Sequence, residues 1–132
     1  MEPNFYDNQK FITELTDKDL KNNTINNKRF KNKEALIMFY APWCPHCVDS
    51  KELFIKTSKI MQDIVPLGAV NCTNPNTIKL QKIFEIQGFP TILEFYNGKK
   101  MGIYNGGRDP ISITSYYCSQ KNLFCNDDIK NI

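Results

Sequence analysis

Histidine occurs once in this chain, at His46, and only one pair of cysteines has C-x-x-C spacing, Cys44 and Cys47. A structural zinc site takes four ligands, usually as two such pairs of Cys or His. With no second pair present, no metal is expected. No apolar run approaches the roughly 20 residues of a membrane-spanning helix, so no membrane partner is expected either. Met1 to Lys10 lack the basic start and apolar core of a secretory signal, and Asp127 to Ile132 are not a retention signal. On these absences the chain is expected in the cytoplasm, or packaged in a particle assembled in the cytosol. Internal repeats and low-complexity domains are missing too, so the 132 residues are expected to form one domain.

What is present is enough for a core: 41% of residues are hydrophobic and 12% aromatic, with a modest net charge of +3. Lys28, Arg29, Lys31 and Lys33 cluster among asparagines. No aromatic platform or nucleic-acid motif accompanies them, so they read as a solvated loop and no nucleic-acid partner is expected. Asparagine is frequent, as in Asn22-Asn23 and Asn26-Asn27. With the many Lys and Ile this points to an AT-rich coding genome, a viral one included, and carries no mechanism. Five cysteines in a reducing compartment argue for redox chemistry more than for a disulfide scaffold.

The stretch Trp43-Cys44-Pro45-His46-Cys47 follows an apolar run, Ala35 to Ala41, and precedes a stretch, Val48 to Met61, that reads as a helix. Two cysteines on one turn at a helix N-terminus meet unpaired N–H groups and the positive end of the helix dipole, which favour a thiolate. His46 adds a donor, and a positive charge when protonated; Pro45 removes one N–H and stiffens the turn. The reading is a redox-active dithiol in which Cys44 attacks and Cys47 resolves. Half a zinc site and an inert disulfide are the bland alternatives, the latter closing too small a loop to stabilise much.

In chain order, Phe11 to Leu15 reads as a strand. Thr16 to Leu20 opens a helix that ends in a polar loop, Asn22 to Asn32, and Ala35 to Ala41 is a strand buried on both faces. The helix after Cys44 places Val48, Phe54, Ile55 and Met61 near one face. Pro66 to Cys72 is a strand, and Asn74-Pro75 opens a helix running to about Phe84. Thr91 to Tyr96 and Lys99 to Tyr104 form a hairpin through Asn97-Gly98, and Asp109-Pro110 starts a final helix to about Asn122. The order βαβαβαββα predicts an α/β fold, a mixed central sheet flanked by helices. Residues 1–10 read as an N-terminal extension, 11–122 as the domain and 123–132 as a tail.

Four stretches, Phe39 to Cys47, Val70 to Thr73, Gly88-Phe89-Pro90-Thr91 and Tyr104 to Arg108, resemble in order and spacing the thioredoxin fold, and most closely the catalytic domains of protein disulfide isomerases. The resemblance implies a thiol–disulfide oxidoreductase acting on protein thiols and disulfides without metal or organic cofactor, as a monomer or weak dimer. It implies that Pro90 is a cis-proline facing the dithiol, that Trp43, Phe89 and Ile92 rim an apolar docking patch, and that Arg108 lowers the pKa of Cys47. A partner-binding module and a thioredoxin-type reductase are the alternative functions.

The sequence also departs from the pattern. Pro45-His46 is the dipeptide of the bacterial oxidant DsbA, and within the fold potentials run from about −270 mV for thioredoxin through about −180 mV for disulfide isomerase to about −120 mV for DsbA. An oxidising or isomerising bias is therefore expected. The buried acid of most relatives is replaced by Met38 and its lysine partner by Ile83, and Glu52 stands where a helix-kinking proline is common. Cys72 is expected as a buried free thiol. Cys118 and Cys125 lie outside the family pattern and are open to a structural disulfide, a shuttle pair or no bond.

Overall fold

The computed structural model describes residues 2–125; Met1 and residues 126–132, which include the stretch from Asp127 to Ile132, lie outside the described residues. The segment before the first strand is part of the core. Tyr6 is fully buried, edge-on to Tyr40 and Phe54 at 5.5 and 5.7 Å, and Phe5 stacks on Tyr40 at 4.7 Å. Asn71 Nδ2 pins its start by donating to Glu2 O and Asn4 Oδ1.

Strand β1 spans Ile12–Glu14. The expected first helix is only a single 3-10 turn, Asp17–Asp19, with Thr16 and Asp19 capping each other reciprocally. The chain then forms a small hairpin, β2 (Leu20–Lys21) and β3 (Thr24–Ile25), through Asn22 and Asn23 at φ +52° and +62°, and a second 3-10 turn, Lys28–Phe30. No apolar stripe of helical period follows the cap, and asparagine tolerates the left-handed region, so the hairpin prevails. β4 (Glu34–Tyr40) leads into α1 (Pro45–Met61), then β5 (Leu67–Asn71). A 3-10 turn, Pro75–Thr77, continues as α2 (Ile78–Ile83), followed by β6 (Thr91–Tyr96), β7 (Lys99–Tyr104) and α3 (Pro110–Lys121). Asp109 caps α3 by accepting from the Ser112 N–H.

The main sheet is ordered β1-β5-β4-β6-β7, parallel from β1 to β4 and antiparallel from β4 to β7. Gly98, at φ +76° in the β6–β7 turn, lies against β3, where a Cβ would clash with Ile25 O. Central β4 is buried on both faces. One face, with Leu36, Met38 and Tyr40, packs under α1 and α3; the other, with Ile37 and Phe39, packs against Phe30, Leu80 and Phe84.

Two expectations change. Val48 is 52% exposed and leaves the buried face of α1 to Cys47, Ser50, Phe54, Ile55, Thr57, Ser58 and Met61. The hydroxyls of Ser50, Thr57 and Ser58 donate to helix carbonyls, so they enter the core satisfied. Arg29 is no loop cation: its guanidinium donates to Thr13 Oγ1, Leu67 O and Phe11 O and pairs with Asp63 at 3.5 Å.

Candidate active site

β4 delivers the dithiol to its C-terminal end, and Cys44 is the N-cap of α1, with Pro45 at the first helical position. Cys44 N–H donates to Ala41 O at 3.0 Å, which sets the turn. Burial pushes the Cys44 thiol up. Hydrogen bonds from the Cys47 N–H, the Cys47 thiol and the His46 N–H, with the charge of Arg108, outweigh that and hold Cys44 below the usual thiol range. Cys47 is fully buried and moves the other way. Burial and the adjacent Cys44 push it up to about 12, against the pull of the Ala41 N–H and Arg108. One thiol held below the ordinary range beside one held above it is the division of labour that exchange requires.

The peptide bond Phe89–Pro90 is cis, and the Cys44 thiol lies 3.6 Å from the Phe89 carbonyl. Trp43 is 63% exposed and meets the Phe89 ring edge-on at 6.0 Å. A cleft beside them is lined by Pro90, Ile92, Tyr104, Gly106 and Arg108 among others. Ile92, expected on the apolar rim, is only 3% exposed, because as the second residue of β6 it alternates inward to the α1 layer. The His46 side chain points to solvent, and the backbone N–H is its contact with Cys44.

Met38 is fully buried, while Ile83 sits 39% exposed on α2, so neither position brings charge to the dithiol. The acid on this side of the sheet is the half-buried Glu14, which sequence reasoning missed. Its trace is a lone glutamate two residues after Ile12, in a strand whose alternation points both to the same face. The Tyr40 hydroxyl and Tyr6 N–H donate to Glu14 Oε2. Cys72 is a free, half-buried thiol, pushed up to about 12 by burial. Cys118 and Cys125 are joined in a disulfide with Cα atoms 4.9 Å apart. Neighbouring Lys121 pairs with Glu34 at 3.4 Å, at the start of β4. The dithiol follows the other end of β4, a strand about 20 Å long. Among the described residues no group of three or more His, Cys, Asp or Glu gathers as a metal site would.

A dithiol capping a helix opposite a cis-proline, on a mixed sheet of this order, defines a redox protein of the thioredoxin-fold class. A family model described as thioredoxin matches residues 11–118. Protein disulfide-isomerase MPD1 of Saccharomyces cerevisiae is 38% identical over 92 residues, which cover 70% of this chain and 28% of the yeast protein. A putative protein disulfide-isomerase of Dictyostelium discoideum is 30% identical over 118 residues, covering 85% of this chain and 27% of that protein. Among solved structures, the zinc-bound form of human ERp44 is 25% identical with a TM-score of 0.71, covering 83% of this chain and 31% of that one. Chlamydomonas reinhardtii thioredoxin f2 has a TM-score of 0.65 at 19% identity, over 83% of this chain and 96% of that one; this likeness concerns the fold. The chain belongs to the thioredoxin family.

The yeast disulfide isomerase and ERp44 are proteins of the endoplasmic reticulum lumen. That overturns the expectation of the cytoplasm or a cytosol-assembled particle. The expectation rested on finding no leader, and a chain spanning 28% and 27% of its curated relatives says nothing of targeting. The disulfide between Cys118 and Cys125 also suits an oxidising setting.

Proposed function

We propose that the protein is a thiol–disulfide oxidoreductase acting on protein thiols and disulfides, biased to oxidation and isomerisation. The observation that carries this reading is the opposite displacement of the two thiols, Cys44 below and Cys47 far above the ordinary range. Cys44 attacks or is attacked, and Cys47 resolves. Arg108 supplies positive charge to both, and exposed Trp43, with Phe89 and Pro90, receives an extended substrate segment. His46 and Pro45 tune the pair, His46 through its backbone N–H to Cys44 and Pro45 by stiffening the cap. The protein works as a monomer or weak dimer, with neither nucleic acid nor membrane as a partner. Arg29, the most structured of the basic cluster, is occupied internally. No described helix is long and apolar enough to cross a membrane.

Cys44→Ser is expected to abolish oxidative refolding of a reduced, unfolded substrate, and Cys47→Ser to accumulate a mixed disulfide visible on a non-reducing gel. Full turnover in Cys44→Ser contradicts the mechanism. The exposure of Trp43 favours a second reading, a partner-binding module. Undiminished capture of a reduced, unfolded client by a Cys44→Ala, Cys47→Ala double variant would favour it.

A further inference from the structure

The cleft beside the cis-proline holds groups that the exchange chemistry does not use. It runs from Pro90 and Thr91 across the ends of β6 and β7 to Arg108. Its volume is about 190 Å³. Pockets for cofactor-sized ligands begin at roughly 300 Å³, so this one has room for a side chain and little more. Pro90 forms part of its wall, and the neighbouring Phe89 carbonyl lies 3.6 Å from the Cys44 sulfur. A side chain seated in the cleft therefore belongs to a residue close to the substrate cysteine.

The loop that carries Arg108 is anchored on both sides. The Tyr104 hydroxyl donates to Gly107 O at 2.6 Å, and Asp109, the cap of α3, accepts from the Ser112 N–H and hydroxyl at 3.0 and 2.6 Å. Arg108 is thereby held half-buried, and among the described residues its guanidinium makes no hydrogen bond or ion pair. Arg29 is the contrast, its guanidinium engaged by Phe11 O, Thr13 Oγ1, Leu67 O and Asp63. A guanidinium is a rigid fork of N–H donors that matches a carboxylate, and here the fork is open. Its charge reaches both Cys44 and Cys47, which places it near the reacting sulfurs.

No carboxylate of the protein lines the cleft. The two that act on Tyr104 in its wall are Asp109, engaged by Ser112, and Glu94, which accepts from the Tyr116 hydroxyl at 2.8 Å. The Thr91 hydroxyl donates to Gly88 O and the Tyr104 hydroxyl to Gly107 O. Arg108 and Asn105 are then the side-chain donors left to the cleft, and Ile103, 55% exposed, is its apolar wall.

We propose that this cleft is a specificity subsite that takes the acidic side chain of an aspartate or glutamate flanking the cysteine of a protein substrate. Arg108 receives the carboxylate, Asn105 donates to it, and Ile103 covers the methylenes. A lysine or arginine at the same substrate position meets like charge and is disfavoured. The proposal rests on the exchange reading above and names the substrates that reading prefers.

The test uses end-blocked peptides with two cysteines and Glu, Gln or Lys beside one of them, on either side. The protein oxidises them with glutathione disulfide as the terminal oxidant. Each rate is divided by that with glutathione disulfide alone, which removes the effect of the acid on its own thiol. At low ionic strength kcat/KM is expected to favour Glu over Gln by roughly fivefold, chiefly through KM, and to shrink in high salt. Lys is expected below Gln. In Arg108→Gln the ratio of Glu to Gln should fall to one, whatever that variant does to the absolute rate. Equal rates for Glu and Gln at both placements in the wild type, or a preference that survives Arg108→Gln, overturn the proposal. The same peptides with serine for both cysteines need no turnover: the Glu peptide is expected to shift the Arg108 side-chain N–H resonance and the Gln peptide to leave it in place. Wild-type protein that oxidises none of the peptides sinks the exchange reading instead. The serine peptides then decide the subsite alone, and the absence of a Glu-dependent shift overturns it.

Discussion

Glu14 titrates at 4.5 in an unstructured chain and at about 7 in the fold, so between those values the native state holds the extra proton. Stability from this group is therefore complete below about pH 4.5 and is lost as pH rises through 7. The loss is on the order of 3 kcal/mol for a shift of this size. Urea unfolding at pH 4.5 and pH 7.5 should show the wild type losing stability relative to Glu14→Gln over that interval. Parallel behaviour of the two proteins would mean that the carboxyl ionises freely in the fold. Residues of this kind are hard to read from sequence. Tyr40 reaches Glu14 from 26 positions away and Tyr6 reaches Met38 from 32, and no local pattern announces either contact.

Elements with a strong internal pattern are legible: β4 as an unbroken apolar run, the cap and proline of α1, the Asn97-Gly98 turn, and the Asp109-Pro110 start of α3. The expected first helix is absent because a capping box needs an apolar stripe behind it, and Asn22-Asn23 turn the chain first. Val48 falls outside the buried face because a helical period shows that a stripe exists, while the docking angle decides which residues fill it. Arg29 looks in sequence like one of a solvated cluster and is instead the brace between β1 and β5, with bonds to Phe11 O, Thr13 Oγ1 and Leu67 O. Lysine cannot reproduce that fork, so Arg29→Lys is expected to lower stability by roughly 2 kcal/mol, read as a fall in the thermal midpoint. An unaltered midpoint would return Arg29 to the solvated loop.

Across the whole molecule, chemistry and reinforcement lie at opposite ends of the sheet. The dithiol, cis-proline and Trp43 occupy the C-terminal end of β4, while the disulfide Cys118–Cys125 and the Lys121–Glu34 pair close the other end. The sequence spacing of that bond is 7 residues, and loop-closure entropy for so short a loop is worth about 2 kcal/mol. Replacing both cysteines by serine should lower stability by that amount and leave exchange activity unchanged in a refolding assay. A fall in activity beyond the unfolded fraction would assign the pair a redox role. The dithiol motif and Pro90 are legible because their chemistry lies in consecutive residues, whereas the buried position of Ile92 depends on the β6 register.

The most direct test of the central claim, a stabilised Cys44 thiolate facing a guarded Cys47, is the reduction potential of the pair. It is read by equilibration in glutathione buffers, with Cys72 replaced by alanine. Stabilising the thiolate stabilises the reduced form, so the value is expected between about −180 and −120 mV, and a value near about −270 mV would contradict the oxidising assignment.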